Sequence, residues 1–127
     1  MRMTVISGIA VFLLSIGLCV AAMLYVGLAV DEIGGYCETA PQSLEIVGRD
    51  AMRAELEEVI ARWEVRETWL ALIVSHTELN EVNRLLYEAK VTLEAGEKDD
   101  FLRAVTALQG LSEHLREDQQ FRIVNVF

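Results

Sequence analysis

The sequence predicts an all-α protein: a single N-terminal transmembrane helix followed by a small antiparallel helical bundle. Three observations carry that expectation. Thr4 to Val30 contain no charged residue, with Arg2 ahead of them and Asp31 and Glu32 directly behind. From Asp50 onward, apolar residues recur at three- and four-residue steps in three successive stretches. The joints between those stretches carry a capping sequence or a glycine where helices begin and end.

The apolar run is long enough to cross lipid. About twenty residues in a helix rising ~1.5 Å each span a hydrocarbon core of roughly 30 Å. Fourteen of the residues from Thr4 to Val30 are Leu, Ile, Val or Phe, worth about −4 to −8 kcal/mol of insertion before the Gly, Ser and Thr penalties. A buried helix in a soluble protein of this length would show a polar stripe, and none is present. The competing reading is a cleaved signal peptide, since Gly27 and Ala29 occupy the −3 and −1 positions of a cut before Val30. Its apolar region is nearly twice the usual ~7–15 residues, so residues 1–30 are read as a retained anchor. A lipoprotein cut before Cys19 is disfavoured by the bulk of Leu18. With Arg2 on one side and no Lys or Arg from Met3 to Gly48 on the other, the N-terminus is expected in the cytoplasm and the domain outside. Gly17 and Ala21 have the spacing of a close helix contact within the membrane.

Residues 31–49 read as a juxtamembrane linker and short helix. Gly34 and Gly35 should interrupt the helix, because each costs about 1 kcal/mol relative to alanine. Thr39 and Pro41 then start a short helix toward Val47, which Gly48 ends. Residues 50–120 read as a three-helix bundle. Asp50 is a good N-cap for a helix whose core face is Leu56, Ile60, Trp63, Leu70 and Val74, with Val59 and Ile73 beside them. Trp69 and Leu72 widen that apolar arc, so the second half of the helix should be the more deeply buried. Ser75-His76-Thr77-Glu78 forms a capping box for a helix with Leu79, Val82, Leu86, Ala89 and Leu93 inward, flanked by Leu85 and closed by Gly96. Glu97 to Asp100 open the last helix, whose inward face is Phe101, Ala104, Val105, Leu108, Leu111 and Leu115. Residues 121–127 lose the helical period and read as an extended C-terminal tail docking through Phe127.

Charge bounds the partners. All 20 acidic residues but 10 of the 11 basic ones lie from Asp31 onward, a net charge of −10 for that segment. Such a surface repels nucleic acid and anionic headgroups. Cys19 and Cys37 would lie about 27 Å apart on a helix, far beyond disulfide reach, so Cys37 is read as a free thiol or as a bridge between neighbouring chains. A di-metal bundle site needs Glu-x-x-His pairs, and Ile73 and Leu111 stand where those glutamates belong. His76 and His114 near Glu78 and Glu117 offer a weaker zinc arrangement, set against ordinary helix-end histidines. No nucleophile elbow, phosphate loop, Cys-x-x-Cys pair or His-Glu-x-x-His helix is present. No cofactor and no catalytic residue are therefore expected, and the chain is read as non-enzymatic. The polar line His76, Asn80, Asn83 and Tyr87, with Trp69, is the candidate partner interface.

Four features resemble a known family: the N-terminal span, the long helix with Trp63 and Trp69, the turn Ser75-His76-Thr77-Glu78-Leu79, and the ending Ile123-Val124-Asn125-Val126-Phe127. Together they are similar to small bacterial proteins, largely of spore-forming Gram-positive lineages, classed as domain of unknown function 4363. In that family the ending is Asn-Ile-Phe, where this chain has Val126. The resemblance implies a membrane-anchored helical protein without assigned activity, encoded near a multi-pass membrane protein. The resulting expectation is a non-enzymatic accessory or scaffold subunit of a bacterial membrane assembly. Its partners would be the bilayer, a membrane protein, and a second copy joined through the anchor or Cys37. The alternatives are a membrane-tethered ligand or stress sensor, and a secreted helical protein after cleavage.

Overall fold

The structure, a computed structural model, describes the backbone of residues 2–126 and the side chains of residues 2–119. Four helices follow one another: α1 Arg2–Val47, α2 Arg49–Leu70, α3 His76–Glu94 and α4 Lys98–Val126. No strand occurs among the described residues. The N-terminal half of α1 is long and apolar enough to cross a membrane and lies almost wholly exposed. Its C-terminal half is a full member of the bundle, packed against both α2 and α4, while α3 closes the far side against α2 and α4.

The continuity of α1 corrects the sequence reading of residues 31–49. Gly34 and Gly35 do not break the helix, and Pro41 lies inside it instead of starting a new one. Local glycine cost is outweighed by what the surrounding residues bury: Ile33, Tyr36, Cys37 and Ala40 are each under 5% exposed. Gly34 faces α4 closely enough that a methyl group there would sit 3.6 Å from Ser112 Oγ. Pro41 removes one donor on the exposed side of the helix, and the Thr39 hydroxyl donates back to Gly35 O at 3.1 Å within the same turn. The bundle therefore has four helices, its first being the C-terminal half of α1 itself.

Gly48 supplies the sharp turn between α1 and α2. Its φ of 85° is left-handed, which only glycine adopts without strain. Gly48 is also the N-cap of α2, with Met52 N donating to Gly48 O at 3.2 Å. Asp50, expected as the cap, instead sits in the first turn, where a carboxylate still favours the helix dipole.

The α3 joints follow the sequence. Ser75 Oγ accepts from Glu78 N at 3.3 Å. Gly96, at φ 73°, closes α3 with Glu97 N donating to Thr92 O and Gly96 N to Leu93 O. The expected inward faces of α3 and α4 are buried, with Leu111 half-buried. The backbone remains helical to Val126, so the extended tail is corrected; Phe127 lies outside the described residues.

The second half of α2 is the other correction. Trp63 is 3% exposed, but Trp69 is 62% and Leu72 79% exposed. At ~100° per residue, Trp69 falls about 120° around the helix from Trp63, off the stripe that α1 and α3 cover. The buried stripe is already filled by Met52, Leu56, Val59, Trp63 and Leu70.

Because Gly35 is mid-helix with nothing within 4 Å of an added Cβ, Gly35→Ala should stabilise the bundle by about 0.5–1 kcal/mol. Thermal unfolding of the full chain in detergent micelles measures this. A loss of stability would show that the chain needs a break there.

Candidate interaction surface

Charge gathers where the exposed half of α1 enters the bundle. Glu32 on α1 accepts from Arg62 Nε through one carboxylate oxygen and from Arg66 Nη1 through the other. Asp31, one residue earlier, pairs with Arg116 of α4. Glu58 and Arg62, four residues apart on α2, have the spacing of a local helix pair. That contact exists at 3.8 Å, but both α2 arginines also reach across to Glu32. The acidic pair behind the apolar run is thus matched by three arginines from two other helices. No sequence spacing signals this, because the partners lie 30 or more residues apart. At the opposite end Lys98 Nζ reaches Glu45 at 3.6 Å, tying α4 to α1 again.

The polar line on α3 divides into structural and free members. Asn83 Oδ1 accepts from Trp63 Nε1 at 2.7 Å, and Asn83 Nδ2 donates to Glu67 Oε1 at 2.7 Å. The indole can only donate and the carboxylate only accept, so the amide orientation is determined by chemistry. Asn83 is therefore a relay holding α2 to α3, which removes it from the free docking groups. His76 and Asn80 are exposed, and Tyr87 is 70% exposed. Tyr87 and Asn83 border a shallow cleft of ≈ 340 Å³ between α2 and α3, with Glu64, Glu67 and Lys90 on its rim. Trp69 is exposed near the α2–α3 turn. Gly17 has open space around it, and Ala21 is exposed on the same stretch.

His114 and Glu78, from α4 and α3, approach to 3.9 Å. Among the described residues no group of three or more His, Cys, Asp or Glu is placed to hold a metal ion. Glu78 Oε2 is buried without a hydrogen-bond partner, so the expected return bond of the capping box is not made. A larger open cleft of ≈ 460 Å³ lies at the end of the bundle away from the apolar half of α1, lined by Leu44, Arg49, Asp50, Thr92, Lys98 and Phe101 among others.

Cys37 is 1% exposed, and burial pushes its thiol up to about 12. The sulfur faces the core, and burial favours its thiol form. Tyr36, beside it, donates its hydroxyl to Met52 O at 3.3 Å. Burial first, then the charges of Glu55 and Cys37, raise its pKa as well. On the outer face of α3, Arg84 binds Glu81 at 2.6 Å and Glu88 at 3.1 Å, and its hydrogen bonding to Glu81 holds that carboxyl below its usual range. These contacts are fully exposed and contribute little to stability.

A family model described as a domain of unknown function, DUF4363, matches residues 30–126. The chain belongs to that family. The DUF4363 match opens at Val30, among the α1 residues that enter the core, so the family unit contains the second half of α1 as its first bundle helix. No curated protein and no solved structure matches the chain.

Asn83→Ala should strand the Trp63 N–H and the Glu67 carboxylate, costing about 1–3 kcal/mol. Urea unfolding of Asn83→Ala, Trp63→Phe and the double variant would test it, and full additivity would show that no relay exists. Cys37 and Tyr36 both hold their protons more tightly folded than unfolded. The stability they lend is therefore complete below about pH 9 and lost as pH rises through about 12. Cys37→Ala should flatten part of that alkaline fall in urea titrations; an unchanged slope would place the thiol in water.

Proposed function

We propose that this protein is a single-pass membrane protein whose helical domain serves as a non-enzymatic accessory or scaffold subunit of a bacterial membrane assembly, with the N-terminus cytoplasmic and the bundle extracytoplasmic. The observation that carries the reading is the unbroken α1. One helix is apolar and exposed over about its first 24 residues, ~36 Å, and then becomes a core element of the bundle. A span joined rigidly to a folded domain fixes both the height and the orientation of that domain at the membrane, which is the property a scaffold needs.

Retention of the anchor is supported by packing. A cut before Val30 would remove Val26 and Ala29, each 1% exposed, from the core they fill. It would leave the remaining core residues facing a vacated surface, at a cost of several kcal/mol by the behaviour of core truncations. The surface open to a protein partner comprises His76, Asn80 and Tyr87, with the acidic outer faces of α2 and α3 favouring a basic contact. The sensor alternative is favoured by the ≈ 460 Å³ cleft at the far end, where Arg49 and Lys98 would meet an anionic small molecule.

In-cell crosslinking followed by mass spectrometry should recover a stoichiometric membrane protein, with crosslinks to Lys90 and the outer face of α3. Recovery of the chain alone, together with a ligand-dependent melting shift lost in Arg49→Ala, would favour the sensor instead. Orientation is tested with Gln42→Cys, an exposed position, in a chain whose native cysteines are alanine, since Cys37 itself is out of reach. Labelling of intact cells by a membrane-impermeant maleimide is expected; labelling only after lysis would reverse the orientation.

A further inference from the structure

The connection between α2 and α3 has the wrong composition for a loop in water. From Thr68 to Thr77 there is no Asp, Glu, Lys or Arg, and the six residues Trp69 to Val74 are all apolar. Turns of soluble bundles are ordinarily polar. Leu70 and Val74 are explained by the core, being 1% and 5% exposed. Trp69 and Leu72 are not, and Val65, one turn earlier on α2, is 72% exposed.

The place of this knuckle in the fold says what covers it. Glu32 of α1 is level with Arg62 and Arg66 of α2, and α2 runs antiparallel to α1. Beyond Arg66, α2 therefore heads toward the N-terminal half of α1, so Trp69 and Leu72 emerge at the end of the bundle from which the exposed apolar helix departs. Trp69 lies ~4.5 Å further along the axis than Arg66. The knuckle and the apolar half of α1 thus lie at the same end of the molecule, just beyond Asp31, Glu32 and their arginines. Tryptophan is the side chain best suited to such a boundary, with an apolar body and one N–H for the headgroup layer.

We infer that the α2–α3 turn is a second membrane contact, with Trp69 and Leu72 seated in the interfacial layer of the same bilayer that α1 crosses. The inference rests on the reading of α1 as a span and adds that the bundle leans on the lipid instead of standing clear of it. A second copy or a protein partner would need to cover an edge that already adjoins the lipid. Asp31, Glu32 and their arginines sit roughly one to two turns above the knuckle, so an interfacial seat leaves those pairs at the level where water returns.

The test uses the full chain carrying Trp63→Phe, so that Trp69 is the remaining tryptophan, reconstituted into phosphatidylcholine vesicles. Lipids brominated near the glycerol end of their chains should quench Trp69 emission at least about two-fold, as interfacial placement requires, while iodide has little effect. If Trp63→Phe unfolds the bundle, Leu72→Cys carrying an environment-sensitive dye, in a chain with both tryptophans and alanine at Cys19 and Cys37, gives the same readout as a blue shift on vesicle insertion. Quenching by iodide alone, in a chain that resists carbonate extraction, would overturn the inference and leave the span standing. Protection from both quenchers would also overturn it, because protein would then cover the knuckle. Release of the chain by carbonate would remove the span and this contact together.

Discussion

The rest of the structure depends on α1 remaining a single helix while its surroundings change from an open apolar exterior to a packed core. A helix has no soft joint unless its hydrogen-bond ladder is interrupted, and the two features that invite interruption here, Gly34-Gly35 and Pro41, are both bridged by tertiary contacts. Val26, Ala29, Val30, Ile33, Tyr36, Cys37 and Ala40 form the buried stripe of that helix. The small members of the stripe, Ala29 and Ala40, leave room for neighbouring helices to approach, and α4 lies along it for much of its length. A bundle built on the end of its own apolar helix cannot swivel freely against it, so tilt of one is tilt of the other.

Electrostatics reinforces the same junction. Asp31 and Glu32 follow the apolar stretch immediately, and if unpaired they would lie next to a low-dielectric region where ionised carboxylates are costly. Arg62, Arg66 and Arg116 meet them from α2 and α4. Glu32 is only 20% exposed on its side chain, so this pairing is better shielded than the Arg84 cluster on the outer face of α3. The arginines thus link three helices at one level, where the apolar half of α1 enters the bundle. The net charge of −10 from Asp31 onward is concentrated on the outer faces, leaving the α2–α3 turn uncharged.

How far the candidate surface could be read in advance depended on whether a residue's role was local. The line His76, Asn80, Asn83 and Tyr87 follows from helical spacing alone. That Asn83 is consumed by Trp63 and Glu67 does not follow, because it requires the register of α2 against α3. Trp69 is legible as an interface candidate by residue type, but its exposure is not: a widened apolar arc fits either deeper burial or an exposed apolar edge, and periodicity does not separate the two. The arginine partners of Glu32 were invisible for the same reason, their sequence separation being 30 and 34 residues.

By itself, the sequence determined the all-helical class, the exposed apolar stretch at the N-terminus, the start of α3 at Ser75, its close at Gly96 and the inward faces of α3 and α4. These are set by short-range chemistry: a hydroxyl three residues from an amide, a glycine free to take positive φ, and a 3.6-residue repeat. Tertiary structure decided that α1 runs unbroken to Val47, that α4 stays helical to Val126, and that the bundle has four helices with the C-terminal half of α1 among them. Glycine and proline penalties are of order 1–3 kcal/mol each, and a stripe of buried side chains packed against two other helices exceeds them. Local propensity states only the cost of continuing a helix; the gain is set by what lies alongside it.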